Sequence, residues 1–108
     1  MNFNEYQEKA RETAVYPNIG NNLWYPALGL GESGECQNIV KKVYRDKDGN
    51  ADANDVRMIV KELGDQLWYI AAVASELGVS LDDVAQLNID KLRDRAERGA
   101  LHGSGDNR

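Results

Sequence analysis

Histidine and cysteine are almost absent from this 108-residue sequence, which contains one of each. The single cysteine, Cys36, excludes an intrachain disulfide and favours a reducing compartment, and we expect it to be a small buried apolar residue. The single histidine, His102, lies near the C-terminus. So few histidines exclude a His-rich zinc site, a Glu-x-x-His di-iron bundle, a His-Asp phosphohydrolase and a Ser-His-Asp hydrolase.

Excess positive charge and long apolar runs are also missing. The net charge of −5 argues against a nucleic-acid binder that uses a broad basic surface. No segment is long and apolar enough to span a membrane, and the N-terminus is too charged for a signal peptide. We therefore predict a cytoplasmic protein that binds neither nucleic acid nor membrane. An anionic substrate stays compatible with the charge, because a bound metal supplies local positive charge.

Helical patterns account for most of the chain, so we predict an all-α domain over residues 1–99 and a polar, glycine-rich tail over residues 100–108. The predicted bundle has about four helices. They cover about residues 4–14, about residues 26–45, a stretch from Asn54 or Asp55 to Gly78, and a stretch from Ser80 to Gly99. A chain this short buries a modest core, so we expect a homodimer or a homotetramer.

Two short motifs place pairs of carboxylates three residues apart: Glu32-Ser33-Gly34-Glu35 and Glu62-Leu63-Gly64-Asp65. Residues i and i+3 share a helix face, so each pair projects together. Either pair alone is common on solvated helix surfaces. Antiparallel packing of consecutive helices would bring the two pairs level, where four like charges repel unless a cation lies between them. A hard divalent cation such as Mg²⁺ suits such an all-oxygen site.

Apolar stripes on the second and third helices define the predicted core. The third-helix stripe comprises Val56, Ile59, Leu63, Leu67, Ile70, Val73, Ala74 and Leu77. On the second helix, a rotation of about 100° per residue places Glu32 near the middle of the stripe that includes Leu28 and Val43. A carboxylate in that position requires a partner or a metal.

Gly29, Gly31 and Gly34 spell the pattern G-x-G-x-x-G, which is also found in dinucleotide-binding folds. No predicted strand precedes these glycines, Glu32 interrupts the segment and Glu35 follows it directly, so we reject that interpretation. Close helix packing is the better explanation for residues that each cost about 1 kcal/mol of helix propensity relative to alanine.

Polar residues on the fourth helix form a stripe of Asn88, Lys91 and Arg95 at positions i, i+3 and i+7. This stripe is either a solvated face or a surface that meets the phosphates of a substrate. Lys42 follows Glu35 by seven residues, so it can share the face that binds the metal.

Three aromatic residues near the carboxylate motifs, Trp24, Trp68 and Tyr69, are more typical of core packing than of base stacking. Tyr69 is nevertheless the best candidate among them for contacting the substrate, because it follows Asp65 by one helical turn.

The motif pair and the continuation Gln66-Leu67-Trp68-Tyr69 resemble the MazG-like nucleotide pyrophosphohydrolases of the all-α NTP pyrophosphatase superfamily. The resemblance covers residues 23–95, and residues 91–99 also resemble the end of small MazG-like proteins. It implies Mg²⁺, with Mn²⁺ as a substitute, at Glu32, Glu35, Glu62 and Asp65. It also implies cleavage of a nucleoside triphosphate between its α and β phosphates. The water-activating role would fall to Glu35.

Two alternatives accompany this interpretation. One is a non-catalytic helical bundle that binds nucleotides or other proteins, and the other is an enzyme restricted to modified nucleotides in a house-cleaning role. The chain is a single short domain without the tandem arrangement of larger MazG proteins, so their cellular role does not transfer. Residues 103–108 either fray or close over the substrate, and exposed termini favour fraying.

Overall fold

Every regular element that the structure describes is a helix. The structure is a computed structural model that describes residues 1–100, 102–103 and 105–106. Its elements are α1 (Phe3–Glu12), α2 (Trp24–Gly29), a 3-10 turn (Leu30–Glu32), α3 (Ser33–Lys47), α4 (Ala53–Glu76) and α5 (Leu81–Glu97). The predicted all-α class is confirmed, and within this part of the chain four helices have ten residues or more.

The segment predicted as one helix over residues 26–45 is broken, so this prediction is wrong. Helix α2 ends at Gly29, a 3-10 turn follows, and α3 begins at Ser33. Three glycines in this short stretch each lower helix propensity by about 1 kcal/mol, so a continuous α-helix gains little there. The break places Glu32 at the last residue of the turn.

Helix ends follow their local signals closely. Ser80 caps α5 by accepting a hydrogen bond from the Asp83 N–H, as predicted. Gly78 and Gly99 end their helices with φ of 70° and 69°, a conformation that glycine adopts without strain. The cap of α4 lies earlier than predicted, because Asp52 is the capping residue and Asp55 is its reciprocal partner in a capping box.

Helix α4 is the centre of the fold. It packs against α1, α2 and α3, and small side chains on it, Ala71, Ala72 and Ala74, are buried in these contacts. Among the described elements, α5 contacts only α1 and α4. Its first turn is tied to α1, where Gln7 accepts a hydrogen bond from the Leu81 N–H. No helix in the described ranges combines the length and apolar character that crossing a bilayer requires.

Much of the predicted core is exposed in the single chain. On the α4 stripe only Ala74 is fully buried, whereas Val56, Leu63 and Leu77 are half or more exposed. Within one chain the stripe is therefore only partly buried. Exposed apolar surface of this extent is typical of a surface that a partner covers.

Glu76, at the end of α4, holds the loop between α1 and α2. Its side chain is 1% exposed, pairs with Arg11, and accepts hydrogen bonds from the backbone N–H groups of Gly20 and Asn22. Burial would raise the pKa of this carboxyl, but the Arg11 guanidinium and the two N–H groups outweigh burial and lower the pKa to about 2. The loop that leads into α2 is thus held by an ionised carboxylate.

A Glu76→Gln variant is expected to lower the urea midpoint of unfolding at pH 7. Because the folded pKa lies below the ordinary value of 4.5, the carboxylate stabilises the fold above that value. This contribution is lost as the pH falls from about 4.5 towards 2. The difference between wild type and variant should therefore shrink across that window. Glu8→Gln, at an exposed carboxylate of α1, is the control, and a difference that does not change with pH would contradict the assignment.

Candidate active site

Four carboxylates meet where the 3-10 turn and the start of α3 pack against the middle of α4. Glu32 ends the turn and Glu35 lies in the first turn of α3, while Glu62 and Asp65 lie one turn apart on α4. Both the turn and α3 contact α4. We call Glu32, Glu35, Glu62 and Asp65 the acidic cluster.

Glu62 is the centre of the acidic cluster. Its side chain is half-buried, and this burial raises the pKa of its carboxyl. Contact with the Glu35 carboxylate and the charges of Asp65 and Glu32 raise the pKa of Glu62 further. Glu62 therefore lies close enough to interact with each of the other three carboxylates, and the metal site that the motif spacing predicts stays a prediction.

The acidic cluster is open, with Glu32, Glu35 and Asp65 all exposed. The prediction that Glu32 lies within a buried apolar stripe is wrong. That prediction assumed the α-helical rotation of about 100° per residue, whereas a 3-10 turn advances about 120° per residue and so changes which face Glu32 occupies. Within the described residues, no three His, Cys, Asp or Glu side chains are already placed to hold a metal ion. Binding a cation would require these side chains to rotate towards it.

A cavity of about 360 Å³ adjoins the acidic cluster and is lined by Glu32, Asp65, Trp68 and Tyr69. The Tyr69 hydroxyl donates to Glu32 Oε1 at 3.3 Å. Burial, together with the charge of Glu32, raises the pKa of Tyr69, so the phenol stays protonated and remains a donor. The cavity thus combines a carboxylate pair with an aromatic wall, and its volume falls in the range of small-molecule sites.

The aromatic wall has a defined orientation. The Trp68 indole donates from Nε1 to Thr13 Oγ1 at 2.8 Å, and its ring meets Tyr69 edge to face with centroids 5.3 Å apart. Trp24 does not join them. It is 70% exposed, so the prediction that it packs in the core is wrong. Cys36, predicted to be buried, is only half-buried and is a free thiol.

Sequence reasoning missed Gln66, one of the residues that hold the 3-10 turn. A Cβ added to Gly29 would overlap the Tyr69 ring, so this glycine permits the close packing that the sequence predicts. Gly31 and Gly34 face open space, and the packing explanation is wrong for them within this chain. Gln66, directly after Asp65, bridges the turn to α4. The available signal for Gln66 in the sequence was a polar residue within the apolar α4 stripe and directly beside the motif carboxylate of Asp65.

Lys42 lies apart from the cavity. It is two turns beyond Glu35 on α3, about 10 Å along the helix axis. It lines a separate cavity of about 300 Å³ with residues that include Asp46, Asp55 and Met58. Its predicted contact with substrate stays a prediction.

Among the described elements, α5, which carries Asn88, Lys91 and Arg95, contacts neither the 3-10 turn nor α3, the two elements that supply Glu32 and Glu35. Lys91 Nζ lies 3.3 Å from the Asp106 carboxylate, and Arg95 donates to the Asp106 carbonyl at 2.7 Å. Arg95 is 3% exposed. The prediction that the tail frays or closes over the substrate falls partly on residues 104, 107 and 108, which lie outside the described residues.

Comparison with known proteins connects this geometry to a family. The model of the MazG nucleotide pyrophosphohydrolase domain matches residues 25–99, a segment that contains the whole acidic cluster. The Gene 37 protein of Mycobacterium phage L5 is 45% identical over the full length of both chains, and its name states no activity. No solved structure matches the chain.

Proposed function

Because this chain belongs to the MazG nucleotide pyrophosphohydrolase family, we propose that it hydrolyses nucleoside triphosphates to nucleoside monophosphates and pyrophosphate. The observation that carries the proposal is the packing of the 3-10 turn and α3 against α4, the three elements that supply the acidic cluster. Such a site repels a triphosphate by itself, so the proposal requires a cation between protein and substrate.

The acidic cluster fits Mg²⁺ by the chemistry of its donors. All four side chains offer carboxylate oxygens, which hard cations prefer, and neither imidazole nor thiolate is among them. Mn²⁺ should substitute, since it prefers the same ligands. When bound, Mg²⁺ would neutralise phosphate charge and stabilise the charge that develops in the transition state.

The protein's own side chains would activate the water and contact the substrate. Glu35 is exposed and touches Glu62, and we assign it the role of orienting water and accepting its proton. The water oxygen bonds to the α phosphorus as the anhydride bond between the α and β phosphates breaks, and pyrophosphate leaves. Tyr69 would hold Glu32 through its hydroxyl and place an aromatic ring beside the substrate.

Positive charge for the phosphate chain would come from Lys91 and Arg95, with Asn88 as a further donor. Since α5 contacts neither the 3-10 turn nor α3 among the described elements, these residues would serve the site of a second copy. Lys42 would act from α3. The site would then be completed only in a homodimer or homotetramer, and the exposed α4 stripe supports such an assembly.

A Val60→Lys variant is expected to lose this assembly. Val60 is 58% exposed and lies on α4 one turn from Val56 and Leu63 of the exposed stripe, so in an assembly through this stripe a charge there would be buried unpaired. Analytical ultracentrifugation should find a dimer or tetramer for the wild type and a monomer for the variant. Gln86→Lys adds the same charge at an exposed polar position of α5 and should leave the assembly intact. A monomeric wild type would contradict the proposal.

The proposed reaction is tested with purified protein, Mg²⁺ or Mn²⁺, and a panel of standard and modified nucleoside triphosphates. Monophosphate and pyrophosphate are the expected products, and hydrolysis should stop when the metal is chelated. Diphosphate and phosphate as products would overturn the cleavage position. Hydrolysis confined to modified nucleotides would favour the house-cleaning role.

A non-catalytic nucleotide-binding or interaction module is the second candidate. It is favoured by the open arrangement of the acidic cluster, in which no three donors of the described residues are already placed around one point. This candidate predicts no hydrolysis of any nucleotide in the panel and no change of melting temperature with Mg²⁺.

A further inference from the structure

One face of α4 carries both the acidic cluster and the contacts that hold the 3-10 turn. The four residues of this face, at positions i, i+3, i+4 and i+7, are Glu62, Asp65, Gln66 and Tyr69. The first two carry carboxylates of the cluster. The other two reach across to the turn, whose last residue is Glu32.

Gln66 pairs with both ends of the hydrogen bond that closes the turn. In that bond the Ser33 N–H donates to the Leu30 carbonyl. In the amide orientation that satisfies both groups, the Gln66 nitrogen donates to Leu30 O at 3.2 Å and its oxygen accepts from Ser33 N at 2.9 Å. The amide therefore brackets Glu32, which lies between these two residues in the chain.

Tyr69 adds the remaining contacts. Its ring lies where a Cβ on Gly29 would be, at the start of the turn, and its hydroxyl donates to Glu32 at the end of the turn. Contacts with α4 thus hold the turn at Gly29, the residue before it, at its closing hydrogen bond and at the side chain of its last residue. A short 3-10 segment with poor intrinsic hydrogen-bond geometry depends on such external contacts.

From these contacts we propose that Gln66 is a positioning residue, whose amide fixes the 3-10 turn and so sets the Glu32 carboxylate beside Glu62 and Asp65. The role of Glu32 as a metal ligand rests on the proposed function, whereas the amide contact does not. Only an amide offers a donor and an acceptor side by side, as this pairing requires. Glutamate would lose the donor and repel the Leu30 carbonyl, and methionine would keep the length but lose both bonds.

The experiment compares Gln66→Met and Gln66→Glu with the wild type. Amide hydrogen exchange at Ser33 is expected to be faster in both variants, because the second acceptor of this N–H is lost or distorted. Titration of Gln66→Met with Mg²⁺ alone is expected to show an affinity about 10- to 100-fold weaker, as for other residues that orient a metal ligand. Glu76→Gln is the matched control, since it should lower stability and leave Mg²⁺ affinity unchanged.

Each outcome decides the proposal. If the Ser33 N–H exchanges in both variants at the wild-type rate, the contact between the Gln66 amide and the turn is overturned. Faster exchange at the Ser33 N–H with unchanged Mg²⁺ affinity would show that Gln66 has a purely structural role. It would overturn the assignment of Gln66 as a positioning residue. A wild type that binds Mg²⁺ but hydrolyses no nucleotide would overturn the proposed function and leave the Gln66 comparison intact, because neither readout depends on turnover.

Discussion

Glu62→Gln is expected to lower kcat/KM for nucleoside triphosphate hydrolysis by about 100-fold or more. Loss of a residue that merely orients a metal ligand costs about 10- to 100-fold, and a direct ligand should cost at least as much. The amide keeps the shape of the carboxylate but removes its charge. Steady-state kinetics over a range of Mg²⁺ concentrations measure the effect, and Glu8→Gln provides the control at a carboxylate on the surface of α1.

Stability separates this loss from misfolding. Glu62 is half-buried, and burial is the largest cause of its raised pKa. The three neighbouring carboxylates raise the pKa of Glu62 further by their charge. Removing its charge relieves that repulsion, so Glu62→Gln should unfold at the same temperature as the wild type or higher. Wild-type activity in a stable variant would contradict the proposed metal site. A strongly destabilised variant would contradict the electrostatic description of the cluster.

Gly29→Ala and Gly31→Ala are expected to change stability in opposite directions. A Cβ on Gly29 overlaps the Tyr69 ring, and forcing a methyl group into such a contact costs about 1–3 kcal/mol. A Cβ on Gly31 meets nothing within 4 Å, so that variant should gain up to about 1 kcal/mol because alanine is the better helix former. Urea denaturation of both variants measures the difference.

A double-mutant cycle locates the cause at the Tyr69 ring. In a Tyr69→Ala background the added methyl group on Gly29 has room, so Gly29→Ala should lose most of its cost there. The same background should leave the effect of Gly31→Ala unchanged. Equal costs of Gly29→Ala with and without the ring would show that the destabilisation arises elsewhere.

Local signals along the chain predicted the elements that depend on neighbours in sequence. Helix α5 begins after Ser80, whose side chain caps it. Helices α4 and α5 end near Gly78 and Gly99, which adopt positive φ. The spacing of Glu62 and Asp65 placed them on one face for the same reason, since a helix repeats over a few residues. Packing of consecutive helices then made the meeting of the two carboxylate motifs predictable.

Features that depend on distant residues escaped prediction. The 3-10 turn that breaks the second helix is held by Gln66 and Tyr69, more than 30 residues further along the chain. Its changed rotation exposes Glu32, which helical periodicity had placed in the core. The α4 stripe is apolar as the pattern indicates, yet Val56 and Leu63 stay exposed because no described element of the same chain covers them.

The acidic cluster and the all-α class thus follow from short-range spacing, composition and helix signals in the sequence. Tertiary packing decides the orientation of Glu32, the cavity beside Trp68 and Tyr69, and which helices α5 contacts. Periodicity states which residues share a face of a helix. It does not state which face another segment covers, because that choice depends on contacts between residues far apart in the chain.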